Sequence, residues 1–386
     1  MTDADVPAVD GTPPWKRVVQ AAISIAIVVG IFAGVMPRIA NYGDVFETIA
    51  AMSSVEVGSL VLIGIWNLVT YWFVLVAALP GLRTREAAVV NQASTAVSNT
   101  MPAGGAIGVG VTVAMLTSWG FSVPNIARSA VITGIWNNFV KLGMPVFALA
   151  LLALEGDVTP ARLAAAAIGI GVLVAAAVTF ALLLRSDGLA RSIGRTVGNT
   201  VDWLRGLVRR DPVGDWEERA SGFRRNAVGL LRDRWLALTV ATLVSHVSLY
   251  LVLLLALRHV GVSQNELSWI AVLAAFSFVR LISALPITPG GVGVVELGYA
   301  ATMTIGLDAT TSAQVVAAIL VFRAVTYLLP IPLGAGSYVI WRSNHSWRMS
   351  EAERNRFAGE PTALADAASP QAEDTAEAQA DPQPTR

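Results

Sequence analysis

The chain has no cysteine, only three histidines and two lysines, and just 14% of its 386 residues are Asp, Glu, Lys or Arg. Each shortage excludes something. Without cysteine there is no disulfide framework, no thiolate metal site and no thiol nucleophile. His246, His259 and His345 are too few and too scattered for a zinc centre, so neither metal nor cofactor is expected. Soluble chains are roughly a quarter charged, and this one lacks the polar side chains to coat a water-facing surface. That argues against a cytosolic enzyme, a nucleic-acid binder and a disordered scaffold. What is present instead is 54% hydrophobic residues and a mean hydropathy of +0.61. The composition is that of an all-α, multi-pass membrane protein.

Apolar runs of about 20 residues cross a bilayer core as helices. The chain offers six: Val18–Met36, Val57–Leu79, Ser129–Leu154, Leu163–Leu184, Trp235–Leu257 and Val315–Ile340. The first follows Lys16-Arg17 as a signal peptide would, but it is long and ends at Pro37-Arg38 without a small-residue cleavage site, so it reads as retained. Two more stretches, Ala87–Trp119 and Leu267–Ile305, are broken mid-way by Pro102-Ala-Gly-Gly105 and Pro289-Gly-Gly291. A Gly/Pro break can merely kink a spanning helix. Charge decides the matter. If each broken stretch returns to the side it entered, every Arg-rich segment lies inside and every acidic connection (Asp44–Glu56, Glu155–Asp157, Gln264–Glu266) outside. If each crosses once, the stretch from Arg185 to Arg234 lies outside. The expectation is therefore six spans plus two re-entrant Gly-Gly hairpins, with both termini cytoplasmic in the cell membrane. An excess of Arg over Lys fits a GC-rich prokaryotic genome.

Three net crossings per half invert the second half relative to the first. A shift of 186 residues overlays Gly104-Gly105 on Gly290-Gly291, Gly120 on Gly306, Trp136 on Phe322 and Asn137 on Arg323. The expected organisation is a pseudo-symmetric inverted repeat, with residues 15–157 as the first membrane repeat and 158–345 as the second. The second carries a cytoplasmic Arg-rich amphipathic loop over 185–234; residues 1–14 and the acidic tail 346–386 read as disordered. Within the loop, Leu189, Ile193, Val197, Val201 and Leu204 form one helical stripe among arginines. It suits either the membrane interface, with arginines near anionic lipids, or packing on the bundle. Trp15, Trp235, Trp269, Trp341 and Trp347 suit interface anchors.

Paired broken segments in two halves point to a transport site at the bilayer midplane. Gly104, Gly105, Gly290 and Gly291 allow tight turns there, and the half-helices that follow point partly positive N-termini inward, a seat for phosphate. Ionisable residues at membrane depth are site candidates by default: Arg280, Glu296, Arg323 and Lys141. Arginine's planar fork suits a phosphodiester, and Lys141 supplies longer-range attraction. Glu296 neutralises either Arg280 or Arg323. Asn99, Asn137 and Asn138 are polar candidates for which interhelical hydrogen bonds are the commoner explanation, and His246 reads as a buried hydrogen-bonding residue. No Ser-His-Asp order, Walker loop or kinase set is present, so an enzyme is not expected.

Leu285-Pro-Ile-Thr-Pro-Gly-Gly-Val-Gly-Val-Val-Glu296, Asn99-Thr-Met-Pro-Ala-Gly-Gly105 and Arg323-Ala-Val-Thr-Tyr-Leu-Leu-Pro330 resemble the transmembrane region of lysylphosphatidylglycerol synthases, the flippase-like integral membrane family, over roughly residues 15 to 345. The resemblance implies movement of a phospholipid, aminoacylated in the full synthases, between leaflets. The soluble synthase domain has no counterpart here, so a separate lipid-synthesising enzyme is a candidate partner. The expected function is flippase-like translocation of a phospholipid or lipid-linked headgroup. The alternatives are an ion-coupled transporter of a small solute, a membrane-embedded lipid-modifying enzyme and an accessory subunit of an envelope assembly.

Overall fold

The computed structural model describes residues 42–101, 104–156, 159–207, 214–283 and 288–344. The expected span Val18–Met36, the anchors Trp15 and Trp347, and the ends expected to be disordered, 1–14 and 346–386, fall outside the described residues. Described secondary structure is helical throughout. In chain order the helices are α1 (Tyr42–Ala50), α2 (Ser54–Ala78), α3 (Thr84–Thr100), α4 (Gly104–Ser118), α5 (Val123–Leu154), α6 (Pro160–Arg185), α7 (Asp187–Leu207) and α8 (Trp216–His259). There follow α9 (Trp269–Ile282), a 3₁₀ turn (Pro289–Gly291), α10 (Val294–Met303), α11 (Ala309–Arg323), a π turn (Ala324–Leu328) and α12 (Pro330–Ser343).

Among the described residues, five helices are long and apolar enough to cross a membrane: α2, α5, α6, α8 and the α11–α12 rod, Ala309–Ser343. Each coincides with an expected span. Local signals set their starts. Ser53 and Glu56 form a capping box on α2, with Ser53 N–H donating to Glu56 Oε2 at 2.7 Å. Asp308 caps α11 by accepting from the Thr310 and Thr311 amides. Two details are added. The Arg-rich loop 185–234 holds α7, a helix where the stripe over 188–207 indicates one, and the first part of α8, whose Arg, Glu and Ala residues are good helix formers that extend the apolar span backward. The acidic connection 44–56 also contains α1, docked through fully buried Val45 onto the main core.

The broken stretches fold as antiparallel helical hairpins. In the first, the place of a Gly104 Cβ is taken by the Ser98 carbonyl, and Met115 and Leu116 pack on Ala87 and Val90. In the second, Gly298 lies against Val279, and the Phe276 and Tyr299 rings stack at 6.4 Å. Their arms have 17, 15, 14 and 10 residues. At 1.5 Å per residue none exceeds about 26 Å, short of a ~30 Å hydrocarbon core.

The bundle has two chemically distinct ends. At one, Ser59 Oγ meets His259 Nε2 at 2.8 Å and Thr311 donates to Glu266 at 3.2 Å, near Glu56 and Asp308. At the other, Arg234 donates to the Val76 carbonyl and Trp341 to Ser118 Oγ. The first hairpin has its ends at the basic end and the second at the acidic end, so their tips approach one another inside. The core centres on α11, where Val315 to Ile319 are fully buried and the helix packs on α1, α8 and α10.

α12 lies along α3, and Gly334 makes this possible: a Cβ there would overlap the Gln92 carbonyl. On α7, Ala190 is buried, and Gly194 and Gly198 pack on Trp216 and Ala220 of α8. Leu189, Ile193 and Val197 turn away, each about half exposed (43–47%). These three residues of the stripe therefore do not pack on the bundle; the small residues beside them do.

Gly334→Leu is expected to separate α3 from α12 and lower stability by about 1–3 kcal/mol or more, read as a fall in thermal midpoint in detergent. Asp187, outside the spans, accepts from Ser221 Oγ at 2.5 Å and Arg191 Nε at 2.8 Å, bonds that hold its carboxyl down at about 2, below its usual 3.8. A depressed carboxyl stabilises the fold above its ordinary range and ceases to as pH falls through the folded value. Amide exchange in α7 should thus be slow at pH 5 and accelerate beyond the intrinsic rate between about pH 4 and 2; Asp187→Asn should show the faster exchange already at pH 5.

Candidate functional site

The site lies where the second hairpin tip, the last span and the first hairpin tip meet. The last span changes pitch there. Over Ala324–Leu328 it makes a π turn, closed by Leu329 N–H to the Ala324 carbonyl at 2.9 Å, and α12 restarts at Pro330, which has no N–H to continue the ladder. Such turns recur at functional sites. This one brings Arg323 and Tyr327, four residues apart, onto the hairpin tips.

Arg323 is committed on three sides. Its Nε donates to Glu296 Oε1 at 2.7 Å, its Nη2 donates to the Gly290 carbonyl at 3.0 Å, and its guanidinium lies 4.5 Å above the Tyr327 ring. Gly290 has φ of +60°, and a Cβ there would fall within the Tyr327 ring, so two constraints both require glycine. Tyr327 reaches the other hairpin: its hydroxyl donates to the Asn99 carbonyl at 2.6 Å, and Asn99 Nδ2 returns a bond to the Tyr327 carbonyl at 3.1 Å. Asn99 is the penultimate residue of α3, so this reciprocal pair clasps the first tip to the last span.

Glu296 is buried, with both carboxylate oxygens engaged: Oε1 by Arg323, and Oε2 by the Gly293 amide at 2.7 Å. The sequence left open whether it neutralises Arg280 or Arg323; it pairs with Arg323. The second bond also revises the half-helix expectation. α10 begins at Val294, beyond Gly291, and its N-terminus already holds a carboxylate of its own.

Arg280 differs from Arg323. It lines a cavity of about 260 Å³ with Arg323, Ser283, Gly290, Tyr299 and Thr326 among others. Its Nε is buried without a hydrogen-bond partner, and no carboxylate among the described residues lies within 4 Å of it. The groups in its electrostatic surroundings are Tyr71, Tyr299 and Arg323, and its own charge reaches Lys141 and His246. A buried guanidinium with no counter-charge is unfavourable unless something supplies one.

The other expected residues are placed differently. Lys141 is half-buried on α5 and does not line the cavity. Asn137 donates to the Thr133 carbonyl at 2.9 Å and hydrogen-bonds the Tyr71 side chain, an interhelical role, while Asn138 is exposed. Gly104 is a packing residue against Ser98; Gly105 meets nothing within 4 Å. Gly291 has φ of +68° and completes the turn beside the site. His246 is buried, with Nδ1 3.0 Å from the Thr242 carbonyl and Nε2 unpartnered. The sequence reading missed Tyr327, Tyr299, Ser283 and Thr326. For Tyr327 the signal was available in its i, i+4 spacing from Arg323 just before a proline.

Helices of this number and length, packed with shorter apolar helical hairpins, define a multi-pass, all-helical membrane protein. Its family follows from the sequence match: residues 19–334 fit the family model described as Lysylphosphatidylglycerol synthase TM region, and the chain belongs to that family. The association is with lipid handling. No curated protein matches the chain.

Removing one partner of a buried ion pair strands the other charge, at roughly 3–5 kcal/mol, whereas an apolar pair of similar volume is close to neutral. Arg323→Met alone should therefore destabilise more than Arg323→Met combined with Glu296→Leu. A double-mutant cycle in chemical denaturation checks this; a double variant as unstable as the sum of the singles would show that the pair is not coupled.

Proposed function

We propose that the protein carries a phosphate-bearing lipid headgroup across the cell membrane, with the headgroup phosphate held by Arg280 in the cavity between the hairpin tips. One observation carries this reading: Arg280 lines a cavity at the meeting of broken helices and has no counter-charge among the described residues. A phosphodiester would supply the missing anion, and guanidinium donates to such oxygens in pairs. Arg323, already engaged with Glu296 and Gly290, acts as the strut that holds the second hairpin open rather than as the main phosphate ligand.

The architecture supports alternating access. The 186-residue offset carries Val123, the start of α5, onto Ala309, the start of α11, and Gly104 onto Gly290 beside the second tip. We read this as an inverted pair whose halves rock about the clasped tips, each hairpin re-entrant from its own leaflet. The positive-inside bias then puts the basic end, and both termini, in the cytoplasm. α7 lies along that surface with Leu189, Ile193 and Val197 toward lipid. Its arginines are less available to anionic headgroups than the sequence suggests, because Arg191 pairs with Asp187 and Arg195 with Glu217. No catalytic step is assigned to these residues; a separate enzyme would make the lipid.

In proteoliposomes containing trace acyl-labelled phosphatidylglycerol, wild type should move label between leaflets well above the protein-free rate. Arg280→Gln should lower the rate at least tenfold, and Arg280→Lys should recover part of it. Equal rates for wild type and Arg280→Gln would remove Arg280 from the pathway.

A further inference from the structure

We infer that the chamber selects headgroups of net negative charge that carry no amine, and that it discriminates against aminoacylated lipid. The inference rests on the lipid-carriage reading and names its substrate class. It comes from a tally of the charges that face the site. In sequence, Glu296 is the only carboxylate between Glu266 and Asp308, and none occurs from Arg234 to Asn265 or from Ala309 to Ser350. Both oxygens of Glu296 are already taken, by Arg323 Nε and the Gly293 amide. Against it stand Arg323, Arg280 and Lys141, the last two without an ion pair among the described residues and within electrostatic reach of one another. The region therefore holds more positive than negative charge before any ligand enters.

A lysyl or alanyl ester would bring an ammonium into that surplus. Aromatic faces are the usual substitute for a carboxylate in holding a cation. Here they are used: Tyr327 faces Arg323, while Tyr299 stacks on Phe276 at 6.4 Å and takes the edge of Phe322 at 5.9 Å. Size points the same way. At about 260 Å³ the cavity falls below the ~300–1,000 Å³ usual for small-molecule pockets, which suits a phosphodiester with a short alcohol and not the same group extended by an amino-acyl chain. Tyr299, Ser283 and Thr326 on the wall can meet such an alcohol's hydroxyls.

The test uses the full chain in phosphatidylcholine proteoliposomes with trace acyl-labelled phosphatidylglycerol, lysylphosphatidylglycerol or phosphatidylethanolamine. The same three lipids, and inorganic phosphate, are compared as stabilisers of the thermal midpoint in detergent. The expected result is leaflet exchange of phosphatidylglycerol at least tenfold faster than of lysylphosphatidylglycerol, with a midpoint rise for phosphatidylglycerol alone. Equal or faster exchange of the lysyl lipid overturns the selectivity and leaves lipid carriage standing. Exchange of no lipid, with phosphatidylglycerol still raising the midpoint selectively, overturns carriage and keeps the selectivity. A midpoint rise of the same size with inorganic phosphate makes the site a small-anion site and overturns the lipid assignment; no shift with any of them overturns the inference outright.

Discussion

Broken helices inside hydrocarbon leave backbone N–H and C=O groups that no lipid can satisfy. That constraint governs this molecule. In the re-entrant arrangement proposed above, the two hairpin tips and the π turn of the last span are three such breaks, and the fold answers by gathering them together. The Gly290 carbonyl is met by Arg323, the Gly293 amide by Glu296, the Asn99 carbonyl by Tyr327 and the Tyr327 carbonyl by Asn99. Three of these bonds tie elements distant in sequence, and the fourth, Gly293 to Glu296, closes the second tip on itself. Because these ties use backbone of both hairpins and the last span, none of the three can move without disturbing the others.

The same arrangement separates two arginines that look equivalent in sequence. Arg323 sits at the end of α11, where a π turn aims it at the second tip, and its Nε and Nη2 donate to structure. Arg280 sits near the end of α9 and lines the cavity with its Nε unpartnered. Residue type predicts a phosphate ligand in both cases; only the surroundings show which already has its counter-charge.

Much of the fold was legible because its signal is long and periodic. Spans of about 20 apolar residues and the paired Gly-Gly breaks survive as α2, α5, α6, α8, the α11–α12 rod and two hairpins. What was illegible depends on three-dimensional neighbours. Helix α1 is too short and polar to stand out, and it forms because Val45 finds a buried seat. The stripe over 188–207 showed α7, but not that α8 begins as early as Trp216, because charge on good helix formers lengthens a helix as readily as it ends one. At the site, Arg280, Arg323, Glu296 and Gly290 were readable as rare residues at membrane depth. Tyr327 carried only its i, i+4 spacing from Arg323, a faint signal because tyrosine in an apolar span is ordinary until a glycine across from it leaves room for its ring. Asn137 takes the interhelical role the sequence offered for it, with its amide bonded within the helix and to Tyr71.

The central claim is that the tips enclose a polar, water-reachable chamber within the membrane. The natural absence of cysteine permits a direct measurement: labelling of Ser283→Cys, on the chamber wall, by a membrane-impermeant thiol reagent in intact lipid, with Val174→Cys on the exposed face of α6 as the buried-in-lipid reference. The account predicts rapid labelling at 283 and little at 174. A cysteine at 283 as inert as one at 174 would contradict it.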